Sequence, residues 1–147
     1  MEGAILKGAN LQKISLFKSL LNKVDLTEAN LTGVRLSASS LRGSILRGAK
    51  FSHASLRECD LSGSKMNGSD FSHCRMIKVN LCRATLNVAI LKNADLTQAN
   101  LDVADLNSAN FEGANLTQAN LCAADARGSD WTNANLQDAS LQGINLQ

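Results

Sequence analysis

From residue 6 to residue 146 every fifth residue is apolar, 29 positions in unbroken register. Leu holds every one of these places from Leu6 to Leu46, and later exceptions are Phe, Met66, Met76, Ala126 and Trp131. Two residues before each stands a small or β-branched residue, from Ala4 to Ile144. A period of five suits neither a helix, at 3.6 residues per turn, nor a plain strand, at two. If each fifth residue and the one two before it both face inward, every pentapeptide is a short extended piece followed by a turn. The chain then bends the same way at every repeat and winds into a coil.

A second period gives the number of repeats per coil. Phe51-Ser52-His53 returns as Phe71-Ser72-His73, and Asp95-Leu96-Thr97-Gln98-Ala99-Asn100 returns as Asn115-Leu116-Thr117-Gln118-Ala119-Asn120. Gly68-Ser69-Asp70 returns as Gly128-Ser129-Asp130, and the aromatic centre residues Phe51, Phe71, Phe111 and Trp131 all share one class modulo twenty. Twenty residues make four pentapeptides, hence a four-sided coil. The repeats amount to about seven coils, a rod roughly 34 Å long at about 4.8 Å per layer. Residues 1–147 read as one domain without linker or insertion. The chain has no Pro or Tyr, one Trp and four Phe, as expected of a narrow core of repeated layers.

Segments such as Ala94-Asp95-Leu96, Ala99-Asn100-Leu101, Ala109-Asn110-Phe111 and Ala114-Asn115-Leu116 resemble the A(D/N)LxX consensus of the pentapeptide repeat protein family, a likeness extending over residues 4–147. The resemblance implies an all-β fold, a right-handed quadrilateral parallel β-helix. It also implies candidate roles. Some members of the family protect DNA gyrase and topoisomerase IV from quinolones by presenting an acidic rod shaped like duplex DNA. Others are effectors or developmental regulators acting through a specific partner. The acidic residues Asp95, Asp102, Asp105, Asp125, Asp130 and Asp138 fit a DNA mimic in part. The basic N-terminal half does not, and the dimerising C-terminal helix typical of those proteins is not found in the sequence.

Charge is divided along the chain. Residues 1–83 carry 13 Lys+Arg and six Asp+Glu, while residues 84–147 carry two and seven, for a total of +2. On a four-sided coil, Lys18, Arg35, Arg57, Arg75 and Lys78 fall on one side wall, interrupted only by Glu58. They are the candidate surface for an acidic protein partner; the plainer reading is a solvated face that keeps the rod soluble. Direct nucleic-acid binding by the basic half is a further alternative, and it predicts affinity that falls steeply with salt. Phe17 is the one aromatic on that wall, so recognition of single strands by base stacking is not expected. The first coil also turns Ile5, Phe17 and Leu20 outward. These are candidates for docking a second copy end to end or another partner, unless they form a cap folded over the coil's own end.

Residues with reactive chemistry are sparse. His53 and His73 occupy equivalent outward sites one coil apart, but two histidines make an incomplete zinc site and no Cys or Glu completes it. Cys59 and Cys74 fall at inward small positions, where cysteine acts as a compact hydrophobe. Cys82 and Cys122 fall outward with no metal-binding spacing. No nucleophile elbow, phosphate loop or zinc-protease motif occurs. Neither a leader nor a membrane-spanning stretch is visible. The expectation is a cytoplasmic, non-enzymatic binding or scaffold protein, without cofactor or metal, that recognises a macromolecule through its walls or ends.

Overall fold

A computed structural model describes residues 2–147. Its backbone is organised by parallel bridges that each join a residue to the one twenty places later. They form four files. The first wall runs from Ile5 through Asp25 to Asn145, and the second from Asn10 through Lys50 to Asp130. The third runs from Ser15 through Arg35 and Arg75 to Asn135, and the fourth from Leu20 through Asp60 to Ser140. Four files with a common interval of twenty give the four-sided coil that the sequence period predicts.

Within each repeat the burial pattern follows the sequence pattern. The centre residue and the one two before it are buried through most of the rod, and the three others face solvent or the rim. Leu26, Leu46, Leu86 and Leu106 stack beneath the first wall, each at most 1% exposed. Burying a Leu side chain contributes about 1.5–3 kcal/mol relative to leaving it exposed. Under the second wall the file turns aromatic. Phe51 and Phe71 stack with ring centroids 4.9 Å apart, and Phe111 and Trp131 stack at 4.2 Å. Aromatic side chains one layer apart can stack in this way because a spacing of about 4.8 Å between layers is close to the ring-centroid separation that offset stacking favours.

Backbone bonding explains why the unit is five residues long. Leu26 N–H donates to Ile45 O, and Glu28 N–H donates to Arg47 O, both in the next coil. Asp25 N–H donates back to Ala4 O in the preceding coil, and Ala29 N–H closes the turn on Leu26 O. Four of the five N–H groups in the repeat are thereby satisfied by backbone. The fifth belongs to the residue just after the centre, and here the Asp/Asn preference finds its reason. Thr27 N–H donates to Asp25 Oδ1 at 3.1 Å. The same short side-chain turn occurs at fifteen of the sixteen Asp or Asn residues in the bridge files. Asp125 is the exception, because the Arg127 guanidinium grips both its oxygens at 2.8 and 2.6 Å.

The second corner residue of every repeat has positive φ. All ten glycines sit there, but so do nineteen other residues. The bend therefore favours glycine without requiring it. Even Val88 (φ 53°) and Val103 (φ 55°) adopt it, although a β-branched residue strongly resists that region.

Hydroxyls and thiols at the inward small positions are satisfied as well. Ser44 Oγ donates to Leu21 O at 3.0 Å, and Ser64 Oγ to Leu41 O at 2.8 Å. Cys59 and Cys74 take the same place and point their thiols at Leu36 O and Phe51 O. Burial pushes both thiols up to about 12. These cysteines are packing elements, held as thiols.

Candidate functional site

Because the inward residues and turns fix the rod, any recognition belongs to the outward positions. The third wall carries Arg35 and Arg75 in its bridge file, separated by Ser55. Arg57 occupies the corner that follows, and Lys18 and Lys78 occupy the positive-φ position of that corner. All five side chains are exposed. They spread over three parallel columns rather than one, with Ala38 and Glu58 between Lys18 and Lys78 in the corner column. Arg57 Nε lies 3.5 Å from Glu58 Oε1, a solvent-exposed pair. Lys18 Nζ sits 5.2 Å from the centre of the Phe17 ring. Arg35, Arg75 and Lys78 have no carboxylate within ion-pair distance among the described residues, so their charge faces water.

The apolar residues of the first coil are strongly exposed: Ile5 76%, Phe17 57% and Leu20 70%. They do not converge. Ile5 stands on the first wall, Phe17 on the corner after the third, and Leu20 on the fourth. They ring the coil, while the end face itself is made of the half-buried Leu6, Leu11 and Leu16. At the other end Trp131, Leu136, Leu141, Ile144 and Leu146 line an apolar hollow of about 190 Å³.

The fourth wall holds a side-chain ladder. Asn80 Nδ2 donates to Asp60 Oδ1 at 3.2 Å, Asn100 to Asn80 at 3.3 Å, and Asn120 to Asn100 at 3.3 Å. Each acceptor oxygen also takes a turn N–H, so it is shared between the ladder and the turn. At the corner after the second wall, His53 and His73 stack with centroids 5.0 Å apart and an interplanar angle of 6°. Among the described residues no hydrogen bond joins either imidazole to another side chain, and no three His, Cys, Asp or Glu residues converge as a metal site would need. Among the described residues no helix is long and apolar enough to cross a membrane.

The acidic half is differently occupied. Asp95 Oδ1 accepts both the N–H and the hydroxyl of Thr97, the second at 2.6 Å. Hydrogen bonds from Thr132 hold the Asp130 carboxyl below the usual carboxylate range, and Arg127 does the same for Asp125. Glu112 is paired with Lys92 at 2.7 Å. Most of these acids serve turns or local pairs, the work that Asn does in neighbouring coils.

No curated protein resembles the chain significantly in sequence. Among solved structures, full-length QnrB1, a plasmid-mediated fluoroquinolone resistance protein, matches over 100% of this chain and 91% of its own, at 14% identity and a TM-score of 0.55. A trypsin-treated form of QnrB1 matches over 99% and 79%, at 19% identity and a TM-score of 0.50. HetL, a pentapeptide repeat protein involved in heterocyst differentiation regulation from the cyanobacterium Nostoc sp. strain PCC 7120, matches over 97% and 89%, at 24% identity and a TM-score of 0.28. The likeness to QnrB1 is one of fold, and structures of this kind are right-handed quadrilateral β-helices. The family model for pentapeptide repeats, eight copies long, matches residues 9–48, 44–81, 64–102, 80–118 and 114–147. With its five-residue files, its twenty-residue coil and that match, the chain belongs to the pentapeptide repeat family.

Proposed function

We propose that this protein is a non-enzymatic scaffold: a rigid rod of about seven coils that holds an acidic protein partner against its third wall. The observation that carries this reading is the set of exposed cations Lys18, Arg35, Arg57, Arg75 and Lys78, most of them without an ion pair. The fold does not need them there. Asp or Asn at the bridge positions would add a turn hydrogen bond, so Arg35 and Arg75 replace a stabilising residue type with a charged one. A convex wall offers no enclosure from which water is excluded, which favours binding over catalysis. Four free thiols suit a reducing compartment, and in this reading the protein works in the cytoplasm.

Mimicry of DNA, as a route to gyrase or topoisomerase binding, is the second reading. The fold shared with QnrB1 favours it. The commitment of Asp95, Asp125 and Asp130 to turns and pairs weighs against it. A pull-down from nuclease-treated lysate of the source organism separates the two. A single acidic protein, lost when Arg35, Arg57 and Arg75 are changed to Glu, is the expected result. Recovery of gyrase or topoisomerase subunits by both wild type and the triple variant would replace the scaffold reading with the mimic.

A further inference from the structure

The corner between the fourth and first walls contains a feature that the scaffold does not require. Its positive-φ column reads Lys23, Gly43, Gly63 and Arg83 in successive coils. Two adjacent glycines leave the corner without side chains for two layers. A Cβ at Gly63 would meet nothing within 4 Å, and one at Gly43 only the Lys23 side chain at 3.9 Å. Nineteen other residues adopt the same φ at this repeat position, so neither crowding nor backbone geometry demands glycine here. The result is an open groove of about 580 Å³.

Lys23 and Arg83 bracket this notch and Arg42 leans over it from the adjoining column, with Ser62 on its floor. Lys23 and Arg83 have no ion pair among the described residues, and Arg42 is shared with Asp60 at 3.6 Å. The first-wall corner has a comparable glycine pair, Gly48 and Gly68, but Glu28 and Val88 bracket it. Among the described residues, only the fourth-wall notch therefore pairs an empty corner with cations at both rims.

The lining also indicates what kind of ligand would be held. Gly43 N–H and Gly63 N–H are spent on Ser62 O and Cys82 O, so the floor has no free N–H there to pair with an added peptide strand. No aliphatic or aromatic side chain lines the groove, so it has nothing to grip an apolar peptide side chain or to stack on a base. What it offers is charge: two guanidiniums, whose planar forks match phosphate oxygens, and an ammonium. About 14 Å separates the backbones of Lys23 and Arg83, three layers at about 4.8 Å each. A ligand that reaches both must carry several anionic groups in a short line.

We propose that this groove is a binding site for a short phosphate chain, either a free oligophosphate or the phosphate tail of a nucleotide. The site is separate from the partner wall, and the two readings stand or fall independently. The test is calorimetric titration of the full chain with tripolyphosphate at low salt. Arg83→Glu and Lys23→Glu should each weaken binding about tenfold or more, whereas Arg35→Glu and Arg75→Glu on the third wall should change it less than about threefold. Gly63→Gln fills the notch without altering charge, and glutamine already takes this conformation at Gln98 and Gln118 (φ 57° and 58°). It should weaken binding about tenfold while lowering the melting temperature by no more than a few degrees, the cost of a side chain at positive φ. ATP should bind no more tightly than tripolyphosphate. Absence of binding, equal losses from third-wall reversals, or an unaffected Gly63→Gln variant would each overturn the proposal, and ATP bound about tenfold tighter than tripolyphosphate would assign the site to a nucleotide instead of a free oligophosphate.

Discussion

The rod from Ile5 to Asn80 and the rod from Thr85 to Asn145 share the same files, turns and core, but differ in what occupies the outward bridge positions. In the first region six of sixteen bridge residues are Asp or Asn; in the second, ten of thirteen are. The first places Arg35, Lys50, Lys65 and Arg75 at bridge positions, where the second mostly keeps acceptors for turn N–H groups. Where a cation stands, the N–H after the centre residue has no carboxylate or amide acceptor two residues before it. The contrast teaches that a solenoid of this kind separates two sequence requirements. Inward residues are answerable to the fold, while outward residues can be exchanged for charge at a modest cost per repeat.

The most severe way to break the comparison is to charge the shared core. Leu36→Asp and Leu96→Asp, one in each region and both fully buried, should abolish cooperative thermal melting alike, because each buries an unpaired carboxylate. If either melts normally, the inward register is wrong in that region. Ala99→Leu should destabilise by about 1–3 kcal/mol through overpacking of the narrow small-residue file, visible as a lower urea midpoint.

The turn argument is sharpened by paired exchanges. Asn100→Ala removes a turn acceptor and two ladder bonds and should cost about 1–2 kcal/mol, whereas Arg75→Asn should add a turn bond and stabilise by about 0.5–1 kcal/mol. Denaturation curves of the two variants must move in opposite directions. If Arg75→Asn lowers the midpoint, the bridge cations contribute to the fold and the separation drawn above fails.

Acid pH should affect the two regions through the same chemistry. Asp25 and Asp130 have lowered carboxyl pKa values, chiefly because Thr27 and Thr132 donate side-chain hydrogen bonds to them. A depressed folded pKa means stability that is present above the unfolded value, near 3.9, and lost as pH falls through the folded one. The melting temperature should hold from pH 7 to 5 and decline below about pH 4, with a shallower decline in Asp130→Asn. Smallest of all is the effect of a chelator: EDTA should leave the melting temperature unmoved, since His53 and His73 stack as rings. A drop on chelation would show that they share a metal.

Much of this was legible from the chain. The five-residue file, the interval of twenty and the aromatic stack at Phe51, Phe71, Phe111 and Trp131 could be read directly, because inward positions repeat without interruption. The corners were less so. Lys, His, Gln and even Val occupy positive φ, because bonding across coils holds the backbone there whatever the residue. Residue type at one corner therefore says little about its conformation. The groove between Lys23 and Arg83 does leave a sequence signal: Gly43 and Gly63 stand twenty apart, with Lys23 twenty residues before the first and Arg83 twenty after the second. That signal shows only when the chain is read in columns instead of in order. The five third-wall cations could be placed on one side, and in their three columns, from the register, whereas the pairing of Arg57 with Glu58 depends on side-chain geometry that no periodicity encodes.

The interval of twenty has a mechanical consequence. Every interlayer backbone bond joins neighbouring coils, so the molecule behaves as a one-dimensional stack in which layers can be added or removed without redesigning the rest. A duplicated twenty-residue segment would lengthen the rod by about 4.8 Å and restore every wall to its original heading. Whatever is bound at two heights on one wall is thereby held at a distance graduated in single layers, so the protein can serve as a ruler whose markings are its own repeats.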